Sequence, residues 1–193
     1  MAILQTTLEL VRQKLNESFK NADPKNDDWV VLSDIADHEG NPHEEAKNKI
    51  VMLLTNIRHE TTISTYSPAV QAGGSRFTLV APPLYIDVFV LFFANFYGKN
   101  YRDGLGMISR TISFFQQNLW FTHQNLPGLD PVIDKLTFEI TNLDLVDLSY
   151  LMGMIGAKYL PSVYYKVRMF PFRSDAIQAV VPAAQGEQPA GQV

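Results

Sequence analysis

Apolar residues recur every three or four positions from Ile3 to Phe19. Leu4, Leu8, Val11, Leu15 and Phe19 fall on one face and predict an amphipathic helix, with Glu9, Arg12, Lys14 and Glu17 elsewhere on the wheel. Asn21-Ala22-Asp23-Pro24 ends it, because proline lacks an amide and clashes with the preceding turn. Trp29–Leu32 reads as a short strand and the polar stretch Ser33–Lys47 as a loop around Gly40-Asn41-Pro42. Lys49–His59 predicts a strand with some burial on both faces. Thr61–Arg76, rich in Thr, Ser and Gly, predicts a long mobile connection.

The pattern changes at Pro82-Pro83. Leu84–Phe96 is apolar on both alternating faces: Leu84, Ile86, Val88, Val90, Phe92 and Phe96 against Tyr85, Phe89, Leu91 and Phe93. A strand of that kind is covered on both faces, which places it at the centre of a sheet. Tyr101–Phe121 predicts a helix with Leu105, Ile108, Ile112, Phe115 and Leu119 inward. Lys135–Thr141 alternates as a half-buried strand. Asn142 or Asp144 can then cap a helix running to about Ile155, with Leu148, Leu151, Met152 and Ile155 inward and Gly156 as its stop. After Pro161, Val163–Phe170 alternates again.

Helix, strand, strand, helix, strand, helix, strand implies an α/β fold, with α+β as the alternative: a single mixed sheet with helices packed on it. The globular domain is expected to span residues 1–172. Residues 173–193 hold five Ala, four Gln and no aromatic residue, and are expected to form a flexible tail that orders on assembly. Their apolar patch Ala176–Val181 suits addition to a sheet edge.

Composition narrows the function. The chain has 193 residues and no cysteine, which excludes disulfide scaffolds, thiolate metal sites and a Cys nucleophile. No apolar run is long enough for a membrane helix, and the N-terminus does not read as a secretory signal. The net charge of −4 argues against general nucleic-acid binding. Charge is uneven: residues 1–60 carry 7 basic and 11 acidic side chains, residues 61–129 carry 4 and 2, and residues 130–193 carry 5 and 7. Solvated polar faces account for such blocks, and subunits meeting through complementary patches would also produce them.

Searches for chemistry find little. His38 and His43 are five apart with Gly40 and Pro42 between them, the wrong spacing for a zinc-binding helix. His59 and His123 stand at element ends and read as local hydrogen-bonding residues. Gly104-Leu105-Gly106 opens a helix after a strong strand, but a dinucleotide fingerprint needs a third glycine and a distant acid that are missing. Close helix–sheet packing explains those glycines better. No phosphate-binding loop or nucleophile elbow is present. No catalytic, cofactor-binding or metal-binding residue is therefore assigned. Lys166 and Arg168 alternate with Tyr164 and Phe170, which suits an outer sheet face or a contact face for another subunit.

Four segments in order carry a resemblance: Asn48–Glu60 (NKIVMLLTNIRHE), Pro82–Phe96 (PPLYIDVFVLFFANF), Tyr101–Gln116 (YRDGLGMISRTISFFQ) and Ile155–Met169 (IGAKYLPSVYYKVRM). Together they resemble the cap, or tube-terminator, proteins of contractile injection systems, over about residues 1–172. The resemblance implies a non-enzymatic structural subunit. It implies a ring of copies, a hexamer, that closes the tube and sheath at the end distal to the baseplate and limits particle length. Its partners would be other copies of itself, the inner tube protein and the sheath protein, with no cofactor, nucleic acid or direct membrane insertion. Assembly would be cytoplasmic. Many members are longer and carry a further C-terminal domain. Within that picture the loop Thr61–Arg76, Lys166, Arg168 and the tail from Arg173, including Ile177 and Val180, are expected to form subunit contacts. Two readings from other classes are a small nucleotide-binding enzyme using the Gly104/Gly106 turn, and a sheet-edge peptide-binding adaptor.

Overall fold

The computed structural model describes residues 3–22, 27–35, 43–62, 69–71, 76–80, 83–172 and 177–182. Helix α1 (Ile3–Ala22) opens the chain and strand β1 (Val30–Leu32) follows. Next come β2 (Ile50–His59), β3 (Ala69–Gln71), β4 (Arg76–Val80) and β5 (Leu84–Ala94). Helix α2 (Tyr101–Gln117), β6 (Trp120–Phe121), β7 (Leu136–Ile140), α3 (Leu145–Met154), β8 (Ser162–Phe172) and β9 (Ile177–Pro182) complete it.

Six strands form one mixed sheet in the order β1-β2-β5-β8-β7-β6. β1 runs parallel to β2, whereas β2–β5, β7–β8 and β6–β7 are antiparallel. β5 lies inside the sheet, as its two apolar faces require. The sheet ends in a three-residue strand on one side and a two-residue strand on the other. The fold is α+β, with three helices against a mixed sheet, and belongs to the class the sequence predicts.

Each face of the sheet carries its own core. Ile86, Val88, Val90 and Phe92 of β5 pack with Leu8, Val11 and Leu15 of α1 and Met107, Ile108 and Phe115 of α2. Phe115 is the hub of an aromatic cluster, touching Phe92, Phe114, Phe138 and Tyr165 with ring centroids 4.5–5.1 Å apart. On the opposite face Leu91 and Phe93 pack with Leu151 and Met152 of α3 and with Leu160. Asp144 caps α3 by accepting from the Val146 and Asp147 amides at 2.9 and 2.8 Å. Gly156, at φ +68°, turns the chain out of that helix.

Buried Asn16 fastens α1 to β1. Its Nδ2 donates to Val30 O at 2.9 Å, and its Oδ1 accepts from the Trp29 and Val30 amides at 2.8 and 2.9 Å. Beside it Arg12 donates to Glu9 and to Asp28, and Lys20 donates to Asp28 at 2.7 Å. These partners hold the Glu9 carboxyl below the usual range, mainly through Arg12, and the Asp28 carboxyl below it, mainly through Lys20 and then Arg12.

Two corrections concern α2. The predicted helix to Phe121 stops at Gln117, and Trp120-Phe121 pairs with β7 as β6. The inward stripe is Gly104, Met107, Ile108, Thr111, Phe114 and Phe115, whereas Leu105, Ile112 and Leu119 are exposed. Hydropathy misplaces the face because a glycine and a threonine occupy it. Gly104 lies so close to Phe96 that a β-carbon there would stand 2.9 Å from the Phe96 Cβ. The buried Thr111 hydroxyl is satisfied by donating to Met107 O at 2.9 Å.

The chain divides into two compact units: Met1–His59 with Ile86–Phe170, and Glu60–Tyr85 with Pro171–Val193. The second holds a three-stranded antiparallel sheet, β3-β4-β9, which the sequence does not suggest. Thr61–Arg76, read as a connection, contributes β3 and the first residue of β4. The segment read as a tail contributes β9, which pairs with β4 of its own chain in the register Phe77↔Val181, Thr78↔Val180. The patch suited to a sheet edge, Ala176–Val181, is seen as β9 from Ile177 onward, but its partner about 100 residues away in its own chain is not marked locally.

Candidate functional site

Gly104 and Gly106, expected on a turn, lie inside α2; Gly106 lines an open groove with Trp29, Asn48, Phe96, Asn100, Arg102 and Arg110. Gly104 is explained by its approach to Phe96, and Gly106 faces open space. The groups with displaced protonation lie outside this groove. Glu9, Arg12 and Asp28 form the network under β1, and burial pushes Tyr165 up to about 12 in the aromatic core. His43 Nε2 is 3.0 Å from Asp34 Oδ1, and His38 lies outside the described residues. His59 and His123 are exposed. Among the described residues no three His, Asp or Glu side chains converge as a metal site would require.

The second face of the six-stranded sheet is polar where α3 does not cover it. Alternation on β5 and β8 puts Asp87 and Phe89 beside Tyr164, Lys166 and Arg168. Asp87 is buried, and Lys166 Nζ lies 2.7 Å from its Oδ2. Arg168 Nε is 3.8 Å from Asp87 Oδ1, and its Nη1 is 3.6 Å from Glu139 Oε1. Tyr164 stacks on Phe89 with centroids 5.7 Å apart and shares a 3.0 Å hydrogen bond with Thr55. Arg58 lies over the Phe89 ring. Lys166 and Arg168, expected as subunit-contact residues, thus meet carboxylates of their own chain, and their side chains keep 28% and 32% exposure.

The other expected contact residues fall in the second unit. Arg76 starts β4 and pairs with Pro182; Ile177 pairs with Val80 and Val180 with Thr78, so these residues share one small sheet. Arg173 lies outside the described residues.

One surface escaped the sequence reading. Val146, Tyr150 and Met154, four residues apart, run along the outside of α3, with Leu145 at its start; Leu145 is 83%, Met154 74% and Tyr150 71% exposed. Their helical spacing was visible in the sequence, but the inward set Leu148, Leu151 and Met152 already accounted for the helix.

The described residues thus form an α+β domain with an uncovered apolar helix and a charged sheet face. The chain is similar in fold to the sheath/tube terminator of an extracellular contractile injection system, PVC, in its extended state. That likeness has a TM-score of 0.54 at 13% identity and covers 94% of this chain and 61% of that one. It is likewise similar to the anti-feeding prophage cap, a tube-terminating cap, with a TM-score of 0.54, 13% identity and coverage of 95% and 60%. The chain thus spans about three fifths of the length of either structure. A search of curated proteins finds no match. The family model described as the Pvc16 N-terminal domain matches residues 6–185, and the chain belongs to that family.

Proposed function

We propose that this chain is a structural cap of a contractile injection system. Copies form a ring, a hexamer, that meets the inner tube and sheath at the end distal to the baseplate and stops their growth, so limiting particle length. The observation that carries this reading is the fold: 94–95% of the chain superposes on a sheath/tube terminator and on a tube-terminating cap. Family membership over residues 6–185 supports it. The work is done by shape, with no turnover, cofactor or nucleic acid. Among the described residues no helix is long and apolar enough to cross a membrane, which is compatible with a subunit that assembles in the cytoplasm and joins the particle.

Arg76, Lys166, Arg168, Arg173, Ile177 and Val180 are the proposed subunit contacts on the charged sheet face and on the second unit. Removing the gene and imaging the particles tests the function. Tubes of uncontrolled length, restored to normal by the full chain, are expected; unchanged length would refute it. Replacing both basic residues of β8, in a variant whose melting temperature shows it folded, tests the contacts on that face: lowered cap occupancy is expected, and normal occupancy excludes Lys166 and Arg168. The nucleotide reading gains nothing from Gly104, whose lack of a side chain the Phe96 contact already requires.

A further inference from the structure

Helix α3 is apolar on its buried side and along most of its outer side, with Asp147 its one charged residue. Leu151 and Met152 are buried against the sheet, while Val146, Tyr150 and Met154 form an outward line flanked by the small residues Ser149 and Gly153. A helix so largely hydrophobic is ordinarily buried. Large exposed apolar patches mark interaction sites. The surface is also acidic: Asp144 and Asp147 lie in its first turn, and no Lys or Arg occurs from Leu136 to Ala157.

A second exposed surface has the opposite character. Tyr97, Tyr101 and Leu105, at 43–55% exposure, lie on the stretch that leads into α2, with Lys99 and Arg102 exposed among them and Asp103 the single acid. The core contacts place α2 and α3 on opposite faces of the six-stranded sheet.

We propose that the outer face of α3 docks on the Tyr97–Leu105 surface of a second copy of this chain. Charge complementarity favours this pairing: an acidic apolar face meets a basic aromatic one, whereas either face against itself would oppose like charges. Two different patches on opposite sides of one subunit give a head-to-tail contact, the kind that propagates into a ring. The inference rests on the ring of the proposed function and names the surfaces that would close it.

The absence of cysteine makes introduced thiols unique. Full-length chains carrying Met154→Cys or Tyr101→Cys are treated with a flexible bis-maleimide. A mixture of the two variants is expected to give a cross-linked dimer, and the double variant a ladder. Each single variant alone gives neither. Adding Tyr150→Asp, at an outward position that leaves the core intact, is expected to lower the yield at least tenfold with an unchanged melting temperature. No ladder at high protein concentration overturns the contact, and so does cross-linking by Met154→Cys alone, which signals a two-fold pairing. Capture of Met154→Cys by added tube or sheath protein in place of its own copy overturns it too. A chain that restores particle length without giving the ladder refutes this contact and leaves the capping reading standing.

Discussion

Two glycines in one helix have opposite jobs. At Gly104 a β-carbon would meet Phe96 at 2.9 Å, while at Gly106 it would meet nothing within 4 Å. Gly104→Ala is expected to destabilise the fold by about 1–2 kcal/mol, overpacking outweighing the gain in helix propensity. Gly106→Ala is expected to stabilise it by about 0.5–1 kcal/mol, because alanine loses less backbone entropy in a helix. Urea unfolding of the two variants checks both signs; equal shifts would show that Phe96 yields. Asn16 satisfies three backbone groups of the Trp29–Val30 segment. Asn16→Ala leaves the Trp29 and Val30 amides without their acceptor, while Val30 O keeps Arg12 Nη1 at 3.2 Å, and should cost about 2–3 kcal/mol in the same measurement. Glu9 and Asp28 have folded-state pKa values below their ordinary ones of 4.5 and 3.8. Their stabilisation is therefore complete above those values and is lost as pH falls through the lower folded ones. Melting temperature should drop as pH falls below the ordinary values of 4.5 and 3.8, and Glu9→Gln with Asp28→Asn should flatten that drop. An unaltered profile in the double variant would mean other carboxylates dominate.

Among the elements, those whose burial follows hydropathy were legible. The stripe of α1 and the two apolar faces of β5 from Ile86 onward appear where the sequence places them, and β7 alternates over Leu136–Phe138, whereas Leu84 and Ile140 are exposed at the strand ends. What escaped did so for physical reasons. Thr111 and Gly104 occupy the inward face of α2 because a local hydrogen bond and a close approach suit them there, and neither shows in a hydrophobic period. β3 and β4 are short and pair with each other locally, while β9 joins β4 from about 100 residues away, a separation no local pattern can specify. The candidate surface was half legible. The basic residues of β8 stood out, but their carboxylate Asp87 was hidden inside an otherwise apolar run. Lys166→Met removes the nearest cation from that buried acid. It is expected to lower stability on the order of 3 kcal/mol, more than an exposed ion pair would, and guanidine unfolding distinguishes the two.

Across the whole molecule, two units with separate sheets predict separate stabilities. Ending the chain at Phe172 removes β9 and leaves β4 paired with β3 alone. Hydrogen exchange should then lose protection in Ala69–Gln71 and Arg76–Val80 while β5 and β7 keep theirs. Loss of protection in all of them together would show that the units fold as one. The short edges of the larger sheet bear on life before assembly. With only three residues in β1 and two in β6, neither border gives a stray chain enough backbone to zip onto. If the proposed capping role holds, this keeps newly made copies from pairing edge to edge through the larger sheet before they reach the tube.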